Sequence, residues 1–190
     1  ASSNPDHPVI LVLGDSISAA YGIPEDVGWV ALLQEKLNEN HYQFNTINAS
    51  ITGETTSGGA HRIDKLIEEH APELVIIELG GNDGLRGLSL KRMRTNLEIM
   101  IRSSQASGAK VLLLGMRIPP NYGVQYTTRF ENTYVSLAEE FDIPLQPFFL
   151  VDVAERRELM QDDGIHPGVD AQPLMLERVW PELLPLLAAR

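Results

Sequence analysis

The 190-residue sequence contains no cysteine. Disulfide bonds, thiolate metal ligands and a cysteine nucleophile are therefore excluded. Hydrophobic residues make up 43% of the chain. No stretch, however, approaches the roughly 18 consecutive apolar residues that a membrane-spanning helix needs. We therefore expect a globular protein without stable membrane insertion.

Basic residues are scarce relative to acidic ones. Lys and Arg total 15 against 26 Asp and Glu, which gives a formal net charge of -11. The basic residues are scattered, apart from a short cluster of Lys91, Arg92 and Arg94. Nucleic acids and anionic membrane surfaces require concentrated basic patches. The charge pattern therefore argues against nucleic acid as a partner, and we expect a monomer that acts on a small molecule.

Short apolar segments alternate with stretches of helical periodicity. The apolar segments lie at 9–13, 44–48, 74–79, 111–114 and 145–149. This alternation predicts an α/β fold with a parallel sheet covered by helices on both faces. The length is typical of one domain, and no repeat or linker interrupts it, so we expect a single domain over 1–190. Pro181 in the last helical stretch predicts a kink or a restart near Trp180.

The N-terminus lacks an initiator methionine, a basic n-region and an apolar h-region. A mature start left after signal-peptide cleavage has this composition, although a chain cut at an arbitrary point would look the same. The lack of cysteine leaves the redox compartment undetermined.

Ser16 directly follows the first apolar segment. Gly14 permits a tight exit from a strand, which would expose the Ser16 hydroxyl at the edge of the sheet with backbone amides nearby. This arrangement suits a nucleophilic serine. A serine in this position can also serve only to cap the following turn.

A serine nucleophile needs a base, and the motif Asp163-Gly164-Ile165-His166-Pro167 supplies a candidate. A carboxylate three residues before an imidazole can fold back so that Asp163 accepts the Nδ1 proton while Nε2 faces Ser16. Asp162 is a rival orienting group, ranked lower because its side chain should leave the loop in another direction. A turn with a capping role and a metal site that includes Asp170 are the other readings of this loop.

Two more strand exits carry groups that could stabilise an oxyanion. Gly53 follows the second strand and lets its backbone N–H approach a ligand, and Asn82 follows the third in a glycine-rich turn. The acyl chain of a substrate also needs an apolar groove. We expect that groove to be lined by six loop residues: Leu85, Leu88, Ile118, Pro119, Pro120 and Tyr122.

Four motifs occur in a fixed order: Gly-Asp-Ser at Ser16, Gly53, Gly-x-Asn-Asp at Asn82 and Asp-x-x-His at His166. In this the chain resembles the SGNH (GDSL) hydrolase superfamily. Within it, the chain is similar to the bacterial multifunctional thioesterase I/protease I/lysophospholipase branch, whose blocks match at 10–18, 48–51, 78–87, 118–123 and 160–167. The resemblance covers nearly the whole chain.

The resemblance implies a three-layer α/β/α sandwich around a flavodoxin-like, five-stranded parallel sheet. It implies Ser16 as nucleophile, His166 as base and Asp163 as its orienting group. The oxyanion donors would be the Ser16 N–H, the Gly53 N–H and the Asn82 side chain. Enzymes of this kind need no cofactor or metal and are typically periplasmic or secreted. They cleave acyl thioesters, aryl and short-chain esters and lysophospholipids.

Other functions remain open on the sequence. One is a short-chain or carbohydrate acetylesterase of the same superfamily. A function of another class is a flavodoxin-like domain whose 14–18 loop binds a phosphate or a flavin. A metal hydrolase built on the 162–170 loop is the third.

Overall fold

Five parallel strands form one central sheet in a computed structural model that describes residues 4–187. The predicted mature start at residues 1–3 lies outside this part of the chain. The strands are β1 (Val9–Gly14), β2 (Asn45–Asn48), β3 (Leu74–Glu78), β4 (Lys110–Leu114) and β5 (Leu145–Gln146). Their spatial order is β2-β1-β3-β4-β5, which is the flavodoxin-like order.

Helices cover both faces of this sheet. They are α1 (Trp29–Glu39), α2 (Thr56–His70), α3 (Gly81–Leu85), α4 (Leu90–Ala106), α5 (Val124–Phe141) and α6 (Gln172–Leu187). Helices α1 and α6 pack together on one face, while α4 packs between α2 and α5 on the other. The predicted three-layer α/β/α sandwich is therefore confirmed.

The core lies between these layers. Every residue of β3 is buried, as is β1 apart from its first residue, because helices exclude water from both faces of a parallel sheet. Met93, Leu97 and Ile101, which lie at helical spacing on one face of α4, are fully buried. Ser89 caps this helix by accepting a hydrogen bond from Arg92 N–H at 3.2 Å.

Strand β5 is shorter than the apolar segment at 145–149 predicted. It ends at Gln146, since Pro147 has no N–H to continue the ladder. A Cβ on Gly115 would lie only 2.3 Å from the Pro147 carbonyl oxygen. The chain after β5 therefore passes tightly against the end of β4 and leaves the sheet.

The sequence predicted a kink or a restart of the last helix near Trp180; the restart is wrong, and the kink stays a prediction. Helix α6 runs from Gln172 to Leu187 with Pro181 and Pro185 inside it. Each proline removes one backbone donor. Met175, Val179 and Leu183, at helical spacing, are fully buried against the core, and we attribute the continuity of the helix to this packing.

All five strands point the same way, so their carboxyl ends meet at one edge of the sheet. The loops that follow β1, β2, β3 and β4, and the long segment 147–171 after β5, gather at this edge. Open parallel sheets bind their ligands there. No helix within residues 4–187 is both long and apolar enough to cross a membrane.

Candidate active site

Ser16 lies in the loop that leaves β1 at the carboxyl edge. A Cβ on Gly14 would lie 2.8 Å from Glu78 Oε1 and 2.9 Å from Ser18 Oγ. Only glycine fits in that space, which explains the tight exit from the strand. The Ile17 N–H donates to Asp15 Oδ1 at 3.0 Å and fixes the turn that presents Ser16.

The structure brings Ser16, His166 and Asp163 together. Ser16 Oγ and His166 Nε2 are 3.0 Å apart, and His166 Nδ1 lies 2.5 Å from Asp163 Oδ2. The sequence analysis placed the three side chains in this relation, with Asp163 behind the imidazole rather than Asp162. A hydroxyl, an imidazole and a carboxylate in a row can remove the hydroxyl proton as the oxygen attacks.

Asp163 is held as a carboxylate. Its side-chain hydrogen bond to His166 is the main reason that its pKa is lowered to about 2. Its other oxygen accepts the backbone N–H groups of Ile165 at 2.9 Å and His166 at 3.0 Å. Because both oxygens are engaged, the carboxylate can turn neither away from the imidazole nor toward a metal ion.

The loop that carries His166 is closed on itself. Met160 and Pro167 form an antiparallel bridge, and the Gly168 N–H donates to the Leu159 carbonyl at 2.7 Å. Gly164 has φ +67, a left-handed conformation that glycine adopts without strain. This geometry returns the chain so that Asp163 reaches the imidazole three residues later.

The candidate oxyanion donors keep hydrogens free. Within residues 4–187, the N–H groups of Ser16 and Gly53 donate to no protein acceptor. Asn82 Nδ2 donates to the Glu54 carbonyl at 2.9 Å, which leaves its second N–H free. Ser16 and Asn82 both line the same cleft, whereas Gly53 is not part of its lining. The roles of these donors remain predictions.

Neighbouring carboxylates hold the loops that carry these donors. Asp83 accepts the Thr56 N–H at 2.8 Å and the Thr56 hydroxyl at 2.7 Å, which ties the loop after β3 to α2. Glu54 pairs with Arg62 at 2.5 Å, and Arg62 also donates to the Ala49 carbonyl at 2.8 Å. These contacts fix the backbone on both sides of Gly53.

A cleft of about 910 Å³ opens beside Ser16 and His166. Four of the six residues predicted to line it do so: Leu85, Ile118, Pro119 and Pro120. Leu88 and Tyr122 lie outside this lining, and their role in substrate binding stays a prediction. Leu88 borders a separate cavity on the α4 side, and the Tyr122 hydroxyl is directed to the Leu85 carbonyl at 2.7 Å.

Much of the cleft wall had no sequence signal. Phe148 and Leu150 come from the segment after β5, Met116 follows β4, and Met160 begins the His166 loop. Phe148 and Leu150 reach the cleft because β5 ends at Gln146 and the segment that follows leaves the sheet.

The alternative metal site does not form. No cluster of three or more His, Asp or Glu side chains that could hold a metal ion exists in the part of the chain that the structure describes. Asp163 and His166 bond to each other instead.

Comparison with known proteins shows the family of this chain. The model of the GDSL-like lipase/acylhydrolase family matches residues 12–172. The chain belongs to this family. It is 51% identical to esterase TesA of Pseudomonas aeruginosa over 94% of this chain and 89% of that protein.

Two further relatives of this GDSL-family chain are similar over nearly their full length. It is 42% identical to thioesterase 1/protease 1/lysophospholipase L1 of Escherichia coli K12, over 94% of this chain and 84% of that protein. The crystal structure of the psychrotrophic esterase EstA from Pseudoalteromonas sp., inhibited by monoethylphosphonate, superposes with a TM-score of 0.90. That comparison has 42% identity and covers 95% of this chain and 99% of EstA.

Two buried carboxyl groups lie beneath the nucleophile of this GDSL-family chain, and the sequence analysis missed their pairing. Asp15 precedes Ser16, and Glu78 ends β3 opposite Gly14. The Ser18 hydroxyl donates to Glu78 Oε1 at 2.7 Å and accepts from Trp29 Nε1 at 3.1 Å. Glu78 Oε2 is buried without a partner in the described chain. The available signal was a carboxylate at the end of an otherwise apolar strand.

Burial disfavours charge on both groups. Desolvation raises the pKa of Asp15 to about 6. Desolvation and the nearby charge of Asp15 raise the pKa of Glu78 well above its ordinary value. A buried carboxylate oxygen without a donor is costly. Glu78 is therefore the group of the pair that retains a proton.

Replacing Glu78 with glutamine should make the protein relatively more stable as the pH rises. In the folded wild type Glu78 keeps its proton, whereas in the unfolded chain it loses that proton above the ordinary carboxyl pKa. Between the unfolded and the folded pKa, the free energy of unfolding of the wild type therefore falls by up to ~1.4 kcal/mol per pH unit as the pH rises. Glu78→Gln removes this loss and keeps an oxygen for Ser18. Urea unfolding of both proteins at pH 5, 6.5 and 8 measures the difference, and a difference independent of pH would contradict the raised pKa.

Proposed function

We propose that this chain is a serine hydrolase that cleaves acyl esters and acyl thioesters, including acyl-CoA and lysophospholipids, through an acyl-enzyme on Ser16. The observation that carries the proposal is the contact of 3.0 Å between Ser16 Oγ and His166 Nε2, with Asp163 behind the imidazole. Membership of the GDSL-like lipase/acylhydrolase family supports the reaction class. The thioester and lysophospholipid substrates are supported by the name of the Escherichia coli relative.

In the first half of the reaction, Ser16 Oγ attacks the carbonyl carbon of the substrate while His166 Nε2 takes its proton. The Asp163 carboxylate stabilises the resulting imidazolium. The carbonyl oxygen becomes an oxyanion, which the free N–H groups of Ser16, Gly53 and Asn82 would bind. The tetrahedral intermediate then collapses, the bond to the leaving oxygen or sulfur breaks, and the imidazolium protonates that atom.

In the second half, water replaces the leaving group. His166 Nε2 takes a proton from the water as its oxygen attacks the acyl carbon, and a second oxyanion forms on the same donors. Collapse breaks the bond to Ser16 Oγ, and the imidazolium returns a proton to Ser16. The products are a carboxylic acid and the free enzyme. No group outside the protein and water is required for this balance.

The size and lining of the cleft favour a longer acyl chain over an acetyl group. Its volume of about 910 Å³ is larger than an acetyl group needs, and its wall includes apolar side chains such as Leu85, Ile118 and Phe148. Ligand sites of this size bury mostly apolar surface and use a few polar groups for orientation. The carbohydrate acetylesterase is therefore the second candidate.

We also propose that the protein is periplasmic or secreted, takes part in lipid metabolism and acts as a monomer. The location and the metabolic role are supported by the family resemblance and by the name of the Escherichia coli relative. Fractionation of the source cells followed by immunoblotting would test the location, and light scattering of the purified protein would test the monomer.

Replacing Ser16 with alanine should reduce kcat on p-nitrophenyl butyrate by about 10⁴-fold or more, because triad members act as a unit. Fluorophosphonate should label the wild type at Ser16, and the variant should not react. An equal melting temperature for both proteins shows that the fold is retained. A fully active Ser16→Ala protein, or a purified wild type that is unlabelled and carries a flavin, would contradict the proposal.

The activity should rise as the pH increases from acidic values, since a protonated His166 cannot accept the proton of Ser16. Asp163 does not set this limb. Its pKa is lowered to about 2, so it supports the fold above the ordinary Asp pKa, and that support is lost only as the pH falls toward 2. Enzyme held at pH 4.5 should therefore regain full activity at pH 7.5.

The measurement is kcat/KM between pH 4.5 and 8.5 with a short-chain ester. Asp163→Asn serves as a comparison and should lower kcat by about 10³–10⁴-fold, as in other triads. A profile that is flat from pH 4.5 to 8.5 would exclude His166 as the base.

Longer acyl chains should be better substrates than acetyl groups. A series of p-nitrophenyl esters from acetate to laurate should show kcat/KM increasing beyond acetate, because each CH₂ buried in the cleft contributes up to ~0.8 kcal/mol. Leu85→Ala should flatten the series without changing the rate on acetate by more than a few fold. The highest kcat/KM on acetate or on acetylated xylose would favour the acetylesterase.

A further inference from the structure

The side chain of Gln161 bridges two loops at the active site. Its Nε2 donates to the Tyr21 carbonyl at 2.7 Å and to the Pro167 carbonyl at 3.0 Å. Its backbone N–H donates to the His166 carbonyl at 2.8 Å. Both amide hydrogens are thus in use, one on the loop of the nucleophile and one on the loop of the base.

Tyr21 completes the connection from the other side. Its N–H donates to the Ser16 carbonyl at 3.2 Å. Its ring lies over the imidazole of His166, with ring centroids 4.4 Å apart and an interplanar angle of 41°. One residue therefore contacts the backbone of Ser16 and the side chain of His166.

We propose that Tyr21 and Gln161 form a clamp that positions the imidazole of His166 against the hydroxyl of Ser16. The clamp rests on the proposed function, since it positions the base of that reaction. Both are positioning residues: neither Tyr21 nor Gln161 lines the cleft. The clamp is a set of contacts among Ser16, Tyr21, Gln161, His166 and Pro167.

The His166 loop needs such a clamp because the sheet does not fix it. Ser16 lies two residues after the end of β1, but His166 lies 20 residues after the end of β5. Asp163 and Ile165 in the same loop are exposed. Proton transfer requires a heavy-atom distance near 3 Å, and a displacement of about 1 Å can slow a reaction about 100-fold.

Gly22 shows how closely the two loops pack. It has φ +76, and a Cβ there would lie 2.1 Å from Gln161 Oε1. A side chain at position 22 would therefore displace the Gln161 amide. The left-handed glycine turns the chain away immediately after Tyr21, so that the Tyr21 carbonyl is open to Gln161.

The Tyr21 ring also affects the charge on His166. An aromatic face within about 6 Å of a cation stabilises it. During each half-reaction His166 becomes an imidazolium, and the Tyr21 ring is already in place against it. The ring contact therefore favours the charged intermediate as well as the correct orientation.

Gln161→Met tests the amide bridge, because methionine has a similar length and no hydrogen-bond donors. We expect kcat on p-nitrophenyl butyrate to fall about tenfold or more, with KM changed less than twofold. Gln105→Met is the matched control. The Gln105 amide also donates to a carbonyl, that of Phe141, but it lies at the end of α4 near the opposite edge of the sheet. This control should leave kcat within twofold of the wild type.

Tyr21→Ala and Tyr21→Phe test the ring contact. The Tyr21 hydroxyl has no hydrogen-bond partner in the described chain, so phenylalanine keeps the whole contact. Tyr21→Ala should lower kcat about tenfold and shift the acid limb of the pH profile to lower pH, because the imidazolium loses its aromatic neighbour. Tyr21→Phe should restore both kcat and the pH profile.

Three readouts separate positioning from general destabilisation. The proton between His166 Nδ1 and Asp163 should give a low-field ¹H NMR signal that broadens in Gln161→Met and Tyr21→Ala. Acylation and deacylation should slow by the same factor, since both use His166. Fluorophosphonate labelling of Ser16 should slow in parallel.

The clamp is overturned if Gln161→Met and Tyr21→Ala keep kcat within twofold of the wild type, or if their losses merely follow a lowered melting temperature. If Gln161→Met does not fold, the pair Tyr21→Ala and Tyr21→Phe decides alone. Ser16→Ala separates the two proposals: if it is inactive while the clamp variants are normal, the function stands and the clamp fails. If Ser16→Ala is active, the proposed function fails.

Discussion

The contact between Ser16 and His166 joins residues 150 positions apart in the chain. Everything that the proposed chemistry needs depends on this one distance, since proton transfer falls off once the two atoms leave hydrogen-bond range. The parallel sheet fixes the position of one of the two residues, Ser16. Because β1 is central and buried, the exit of the chain at Gly14 is fixed, and Ser16 with it. The second residue, His166, lies in a loop that no strand holds in place.

The side chains beneath Ser16 are polar although they are buried. Asp15 and Glu78 meet at the paired ends of β1 and β3, with Ser18 and Trp29 extending the hydrogen bonds to α1. An apolar core at this point would be less costly to bury. The carboxyl groups instead fix the backbone that presents the nucleophile: Asp15 accepts from Ile17, and Glu78 holds Ser18. Their raised pKa values are the cost of that arrangement.

Sequence patterns predicted the features that depend on hydrophobic periodicity and on the order of the elements along the chain. Strands buried on both faces read as apolar runs, so β1 and β3 lie where they were predicted. Ser16, Gly53 and Asn82 lie in loops after strands that the parallel topology brings together, whereas His166 lies in the long segment after β5. The patterns did not predict the features that depend on contacts between residues distant in the chain. Pro147 ends β5 early and brings Phe148 into the cleft. Glu78 completes an apolar strand yet carries a buried carboxyl group.

The contacts of Gln161 beside the proposed base could not be predicted from the sequence either. Nothing in its neighbourhood marks it, because its partner is the carbonyl of Tyr21, 140 residues away. A backbone carbonyl is present at every position, so no residue type at 21 signals the bond. The one local trace is Gly22, whose left-handed turn leaves room for the Gln161 amide. The motifs therefore predict which side chains react, whereas only the three-dimensional structure reveals the residues that contact both of them from outside the motifs.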